Sequence, residues 1–424
     1  MTTEKSVRIA VKSLRIGLYT NFPDTTLWEL AMIDYRNPYT PGAGAMPKYL
    51  AGRDDILESA SLQLKALAAN YQSRSLVLYG LRGVGKTVLL NSIESIAEDE
   101  GILVRHIEVE EKRGLIAPLA SACCLLSASL NKIELVKSKV EYIKNLFTSL
   151  TLSVDAGDGP SSLGFNEETL GEALASSHNL SGDFTDVLVV LGKYAQAAGA
   201  SIFIGIDELQ YAGKEELEAL ACALHRATQL GLPVMFGCAG LPKLLKMLGE
   251  AKTYTERQFS FVKVDSLPRD KAVEAIVRPA QKLDVSYSDE AIDAIIDYTE
   301  GYPYFIQELC STIWTSSDNK CVSLETVLEC TSLTDIRLDE GFFSVRYDRC
   351  TPRQKEFLVA MVRCGGLPCT LANVAHHMGR DVSSIGPLRA QLISKGMIYS
   401  SASGEVDFTA PQFDRYLRRT ERID

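Results

Sequence analysis

The sequence predicts an α/β domain built on a parallel sheet, followed by two mostly helical units. Three observations carry this reading. Short apolar runs alternate with amphipathic stretches between residues 75 and 264. After residue 267 the strand-like runs cease and helical patterns cover about 268–345. Residues 351–424 then hold ten Lys/Arg against seven Asp/Glu, a net +3 in a chain whose total is −10. A small basic module on an acidic body fits these figures, whereas a chain basic throughout would not. The 424 residues suffice for two or three domains, and 46% apolar with 23% charged residues is ordinary for a globular protein.

Along the chain, "VRIAVKSLRIGLY" alternates apolar and polar residues loosely, as a strand does. "NPYTPGAGAMP" (37–47) is a Pro/Gly-rich connector, and "AGRDDILESASLQLKALAAN" reads as a helix with an acidic first turn. Strands are expected at 75–79, 102–109, 201–208, 233–240 and 258–264. Helices are expected over 87–98, 115–150, 184–198 and 215–231, and through "LPKLLKMLGEAKTYTER". Residues 153–166 carry turn chemistry and read as a loop.

Several functional classes are disfavoured. The first 22 residues carry charges throughout and lack the apolar core of a signal peptide. The uncharged run 115–130 contains Pro118 and reads as a buried helix, not a membrane span. No membrane partner and a cytoplasmic location are therefore expected. The ten cysteines include no CxxC pair and read as buried, reduced thiols. Cys364 and Cys369, near His376 and His377, match no common zinc spacing.

The chemistry centres on Gly80-Leu81-Arg82-Gly83-Val84-Gly85-Lys86-Thr87, a G-x-x-x-x-G-K-[ST] octet between an expected strand and an expected helix. Glycines let backbone N–H groups turn toward phosphate oxygens, and the helix N-terminus adds partial positive charge. Gly80, Gly83, Val84, Gly85, Lys86, Thr87 and Val88 are the candidate ATP/ADP-binding residues. Lys86 would reach the β- and γ-phosphates and Thr87 would give its hydroxyl to Mg2+. Further on, "IFIGIDELQ" delivers Asp207 and Glu208 at the end of a strand, where α/β sheets place ligands. Asp207 suits Mg2+, directly or through water, or it caps the following turn. Glu208 suits polarising a water for attack on the γ-phosphate.

With these motifs the chain resembles AAA+ and STAND-type P-loop ATPases, and is most similar to the archaeal and origin-recognition ATPases, over about residues 37–424. The expected fold class is an α/β P-loop NTPase, a parallel sheet flanked by helices, followed by a helical lid and a winged helix–turn–helix domain. The expected division is an extension at 1–48, an ATPase core at 49–267, the lid at 268–350 and the winged helix at 351–424. The resemblance implies that Arg53, in "LAGRDDIL", lies near the adenine, or else on an ordinary surface helix. It implies that Pro303, in the G-x-P of "TEGYPYFIQEL", lies against the base. Arg257 would be an arginine finger completing a neighbour's site, or else a surface ion-pair partner. No arginine lies between Gly301 and Trp314 to act as a lid sensor, and Cys238 alone stands where a polar sensor on the fourth strand is expected. Arg82 has no contact that the sequence identifies.

In the C-terminal unit, Thr351 and Pro352 begin a helix that ends at Gly365-Gly366, and "LANVAHHMG" is a short second helix. A third, capped by Ser383 and closed by Gly396, precedes two short strands and a last helix. In a winged helix the third helix enters the DNA major groove. Arg380, Ser384, Arg389 and Lys395 are the candidate DNA contacts. Two functions follow. One is an ATP-hydrolysing switch whose nucleotide state controls self-assembly into a homo-oligomer and DNA binding. The other is a STAND-type signalling or defence regulator, answering a partner protein, in which the winged helix is an autoinhibitory or protein-contact module. Slow hydrolysis is expected in either.

Overall fold

The computed structural model describes residues 33, 35–130, 179–402 and 404–423. The expected N-terminal strand, the loop at 153–166 and the second half of the helix expected over 115–150 lie outside these residues. The first described helix, α1 (Asp54–Ala68), starts on Asp54 and Asp55, whose carboxylates suit a helix N-terminus. Then come β1 (Ser75–Tyr79), α2 (Lys86–Asp99), β2 (Leu103–Glu108), α3 (Ile116–Leu130), α4 (Leu180–Ala197), β3 (Ile202–Asp207), α5 (Lys214–Gln229), β4 (Val234–Gly240), α6 (Lys243–Ala251), α7 (Thr255–Gln258) and β5 (Phe259–Lys263).

All five strands are parallel, in the order β2-β3-β4-β1-β5. Parallel neighbours need crossovers, and the helices that supply them cover both faces of the sheet. Hence β3 and β4 are buried along their whole lengths and read as apolar runs, broken only by Asp207 at the end of β3. One apolar cluster joins α3, α4 and α5 to the sheet, and a second joins α1 and α2 to its other side. No helix among the described residues is long and apolar enough to cross a membrane.

The helix expected through residues 241–257 is broken. Lys252 is extended, Thr255 Oγ1 donates to the Lys252 carbonyl at 2.6 Å, and Tyr254 stacks on His225 of α5 at 4.4 Å. These side-chain contacts outweigh the propensity to continue.

The helical region contains α8 (Arg269–Gln281), α9 (Asp289–Thr299), α10 (Pro303–Ser316) and α11 (Leu324–Leu338). Between them lies one two-residue parallel pair that the sequence pattern does not show, β6 (Ser286–Tyr287) with β7 (Cys321–Val322). A π-turn at Asp339–Phe343 and α12 (Ser344–Tyr347) lead to α13 (Pro352–Arg363), where Thr351 and Gln354 form a reciprocal cap. β8 (Cys369–Thr370), α14 (Leu371–His377), α15 (Val382–Ser394), β9 (Ile398–Tyr399), β10 (Glu405–Phe408) and α16 (Phe413–Glu421) complete the unit. Its small antiparallel sheet has the order β8-β10-β9. Asp381, not Ser383, is the N-cap residue of α15. Leu338, Phe342, Phe343, Tyr347 and Cys350 pack into the apolar core of this C-terminal unit, together with Phe305 of α10. Sequence reading places them in the lid, but their aromatic rings find partners in Phe413 and Tyr416.

Two glycines give opposite expectations. A Cβ on Gly237 of β4 would overlap the Phe203 ring and lie 3.1 Å from Leu90 Cδ1, so Gly237→Ala should destabilise the chain by about 1–3 kcal/mol. Gly249, inside α6, has nothing within 4 Å of that position, so Gly249→Ala should stabilise by about 0.4–1 kcal/mol. Urea unfolding midpoints of the two variants check the pair.

Candidate nucleotide site

The octet leaves β1, an inner strand between β4 and β5, and enters α2. Gly83 (φ +79°) and Gly85 (φ +88°) occupy the left-handed region that other residues avoid. A Cβ at Gly80 would overlap the Val264 carbonyl, so close backbone approach also demands glycine there. Val84 and Val88 are buried and anchor the loop and the first turn of α2 in the core.

At the far end of β3, Asp207 faces Thr87. The Thr87 hydroxyl donates to Asp207 Oδ2 at 2.5 Å, and the Asp207 carboxylate also accepts the Glu208 N–H at 2.7 Å. The two side chains expected to share Mg2+ are therefore adjacent, and a hydroxyl beside a carboxylate is a hard-oxygen donor set that fits the ion. Glu208 has φ +53°, an unfavourable conformation for a side chain of its size and one that clusters at functional sites.

Sequence reasoning missed the neighbour that holds Glu208. Gln210 is buried; its Nε2 donates to Glu208 Oε2, and its Oε1 accepts the Leu241 N–H at 2.9 Å. It bridges the acidic turn to the end of β4, where the polar sensor was expected. Cys238 does not fill that place. It is enclosed in the apolar core, and burial raises its thiol pKa. Gln210 stands in the quoted motif, but only the fold shows that its amide spans two strands.

The Lys86 ammonium donates to the Leu81 carbonyl of its own loop at 2.7 Å. Burial pushes its pKa down to about 8, against the opposing pull of Glu208 and Asp207 and with a further push from Arg82. Three more cations gather here. Arg82 Nη2 donates to the Tyr211 hydroxyl at 3.0 Å, while its buried Nε has no partner. Lys243 lies 5.6 Å from the centre of the Tyr211 ring. Arg346, from α12, stacks on Phe342 at 3.9 Å, and burial, then Arg82, pushes its pKa down to about 10. Phe342 in turn stacks on Tyr304, whose N–H donates to the Gly83 carbonyl at 3.1 Å. An arginine thus reaches the phosphate-loop surroundings from outside the 301–314 window in which sequence reasoning sought one.

Other candidates fall elsewhere. Arg53 is buried under the loop, its Nη2 donating to the carbonyls of Val84 (3.1 Å) and Asp265 (2.6 Å), so the guanidinium braces the loop. Pro303 is the first residue of α10, beside Tyr304. Arg257 is exposed on α7, immediately before β5, and forms no ion pair among the described residues. In the C-terminal unit Arg380 and Ser384 are exposed, and Arg389 donates to Ser400 Oγ at 3.0 Å. Lys395 is off the outer face of α15: it donates to the Arg349 carbonyl and to Gln354 Oε1, both at 2.8 Å, tying α15 to α13.

The C-terminal unit also touches the loop itself. The Arg82 N–H donates to the Thr409 carbonyl at 3.0 Å. A Cβ on Gly396 would lie 3.2 Å from Arg82 Nη2, and Lys243 Nζ donates to the Ser394 carbonyl at 3.2 Å.

A parallel sheet with a glycine phosphate loop after its inner strand, and a Thr–Asp pair across the crevice, defines a P-loop nucleotide-binding domain of the AAA+ fold. Residues 49–236 match the AAA ATPase domain family. Residues 340–417 match a second family, described as a domain of unknown function (DUF8462). Curated proteins provide no match. Among solved structures the chain is similar to the Orc1 protein of Aeropyrum pernix in complex with DNA, at 15% identity over 88% of this chain and 94% of that one, with a TM-score of 0.45. It is similar to the RuvB Holliday junction branch migration motor of Thermotoga maritima, at 17% identity over 89% and 99%, with a TM-score of 0.42. Cdc6p of Pyrobaculum aerophilum gives 14% over 91% and 96%, with a TM-score of 0.41.

The lowered Lys86 pKa yields a signed expectation. The lysine must be protonated to attract phosphate, so affinity for an ATP analogue should be flat below pH 7.5 and fall toward tenfold per pH unit above about 8. Lys86→Met should bind weakly at every pH and lose this slope. Isothermal titration across pH 6.5–9.5 makes the measurement, and a wild-type affinity independent of pH would contradict the assignment.

Proposed function

We propose that this chain is an ATP-binding, slowly hydrolysing switch whose nucleotide state governs the position of its C-terminal unit. That unit we read as a winged helix–turn–helix that binds DNA. The observation that carries this reading is the direct contact between the phosphate loop and the C-terminal unit, Arg82 N–H to Thr409 C=O. A phosphate arriving at the loop competes for Arg82 and Lys243, the cations that also meet the C-terminal unit, so occupancy and docking are thermodynamically linked.

In this reading the N–H groups of Gly83, Val84, Gly85, Lys86 and Thr87 cradle the phosphates, with Lys86 on the β- and γ-oxygens. Thr87 and Asp207 hold Mg2+, which would supply charge neutralisation on the phosphates. Glu208, held by Gln210, orients the attacking water and takes up its proton. Arg82, Lys243 and Arg346 supply positive charge where negative charge develops on the terminal phosphate. Arg257, exposed just before edge strand β5, is read as the arginine that completes the site of a second copy, and the active species in this reading is a homo-oligomer. Arg380, Ser384 and Arg389 contact DNA.

One observation favours the second reading, in which the unit is an autoinhibitory or partner-protein module. The C-terminal end of α15 is tied to the core through Lys243, and Lys395 is turned inward. Both readings share the release step and differ in what the released unit binds.

Fluorescence anisotropy with a DNA duplex separates them. With a nonhydrolysable ATP analogue, binding should strengthen. The slope of log affinity against log salt should be about −2 if Arg380 and Arg389 meet one phosphate each, and about −1 for Arg380→Ala. Absence of binding at low salt, with and without analogue, would overturn the DNA reading and leave the protein-contact reading standing.

A further inference from the structure

One apolar cluster joins the lid to the C-terminal unit. Phe305 of α10 is buried in it, its ring 6.0 Å from Phe342 and 6.3 Å from Phe343. Tyr302 and Tyr304 pack against the same cluster, which draws on no described residue before Tyr302 and so on none of the ATPase core. The backbone between lid and C-terminal unit is helical throughout: α11 passes through the π-turn into α12 with no extended residue. The turn is pinned on both sides. Phe342 stacks on Tyr304 at 5.0 Å, and Arg419 of α16 grips the Asp339 carboxylate through Nε at 3.0 Å and Nη2 at 2.6 Å. Units that move independently are joined by exposed, flexible linkers with few contacts across them. This junction is the opposite case.

Helix α16 closes the seam from outside. Gln412 Nε2 and Arg415 Nη1 both donate to the Tyr298 carbonyl in the last turn of α9, where a helix offers unpaired acceptors and partial negative charge. Arg415 also pairs with Glu300, and Arg419 Nη1 lies 3.5 Å from Asp335 of α11, whose Oδ1 accepts the Tyr298 hydroxyl. Toward the ATPase core the arrangement differs. Among the described residues the chain passes between lid and core at two places, which lie side by side. Tyr39 and Ala51 belong to the apolar cluster of the lid; Gly52 (φ +64°) follows, and then Arg53 under the phosphate loop. At the other passage the Val264 N–H still bonds the Tyr79 carbonyl of β1, and Pro268 precedes α8. A Cβ on Gly52 would lie 2.9 Å from Lys271 Cβ and 3.2 Å from Leu267 Cδ2. Two short adjacent passages of this kind are what a hinge requires. Away from them the lid and C-terminal unit meet the rim of the nucleotide site, through Tyr304 on Gly83, Thr409 on Arg82 and Ser394 on Lys243.

We propose that α8–α11 and the C-terminal unit form one rigid arm that turns on the ATPase core about Gly52 and residues 264–268. When the C-terminal unit leaves Arg82 and Lys243, the same movement withdraws Tyr304 from Gly83. The phosphate loop is thus gripped and released by lid and C-terminal unit together. The proposal takes from the reading above only what drives the movement, nucleotide at the loop.

The test measures distances in the full chain by pulsed electron resonance, with spin labels on unnatural amino acids because native cysteines are present. The labels replace, two at a time, the exposed residues Lys246 on α6 of the core, Glu290 on α9 of the lid and Gln391 on α15. The chain is opened in two ways: with a Mg2+–ATP analogue, and without nucleotide by Arg82→Pro with Lys243→Ala, which cut the contacts to Thr409 and Ser394 directly. The Lys246–Gln391 distance should lengthen and the Lys246–Glu290 distance should change with it, while the Glu290–Gln391 distance keeps its value and width. A change in Glu290–Gln391, or movement of Gln391 without Glu290, would overturn the proposal. So would unaltered distances in both opened forms. Joint movement in the double variant but not with bound analogue would overturn the nucleotide reading and leave the rigid arm standing.

Discussion

The phosphate loop takes its shape under contacts from three parts of the chain. From below, Arg53 binds the Val84 carbonyl. From the lid, the Tyr304 N–H binds the Gly83 carbonyl, and a Cβ on Gly83 would sit 3.1 Å from Tyr304 Cβ. From the C-terminal unit, the Thr409 carbonyl takes the Arg82 N–H. Each buried backbone group is satisfied by a different unit, so the loop cannot change conformation without disturbing at least one of them. That constraint makes the loop a junction as well as a cradle.

Its electrostatics have the same character. Lys86, Arg82, Lys243 and Arg346 lie close enough to disfavour one another's charge, and Asp207 and Glu208 offset this only in part. A cluster of buried like charges is costly, and an anion relieves the cost. The left-handed backbone at Glu208 is a second local cost, sustained by the hydrogen bonds of Gln210 on either side. Such a site is poised to respond to phosphate. Before α10, Gly301 at φ +71° leaves its would-be Cβ only 2.5 Å from the Leu267 carbonyl, while its own carbonyl accepts the Leu267 N–H at 2.8 Å.

Much of this was legible in the sequence where the determining forces are local. The octet, the carboxylates ending β3 and the apolar runs depend on neighbours a few residues away, and the strand expected at 75–79 is Ser75–Tyr79. The legible part stops where long-range contacts decide. The partners of Arg82 lie 129 residues away at Tyr211 and farther still at Thr409, and Gln210 acts by reaching across to Leu241. Lys395 looks like a surface cation in sequence, yet two acceptors on and before α13 draw it inward. The β6–β7 pair is too short to leave a periodicity.

The central claim is that nucleotide at the loop loosens the C-terminal unit. A distance measurement between the two bodies tests it most directly, with fluorophores introduced through unnatural amino acids at the exposed positions Lys246 on α6 and Gln391 on α15. Energy transfer should be high in the nucleotide-free chain and should drop when a Mg2+–ATP analogue is added, with Arg82→Pro, which removes the N–H that binds the Thr409 carbonyl, or Lys243→Ala, which removes the bond to the Ser394 carbonyl, showing a low value from the start. Unchanged transfer on saturation with the analogue, in a chain that binds it, would contradict the account.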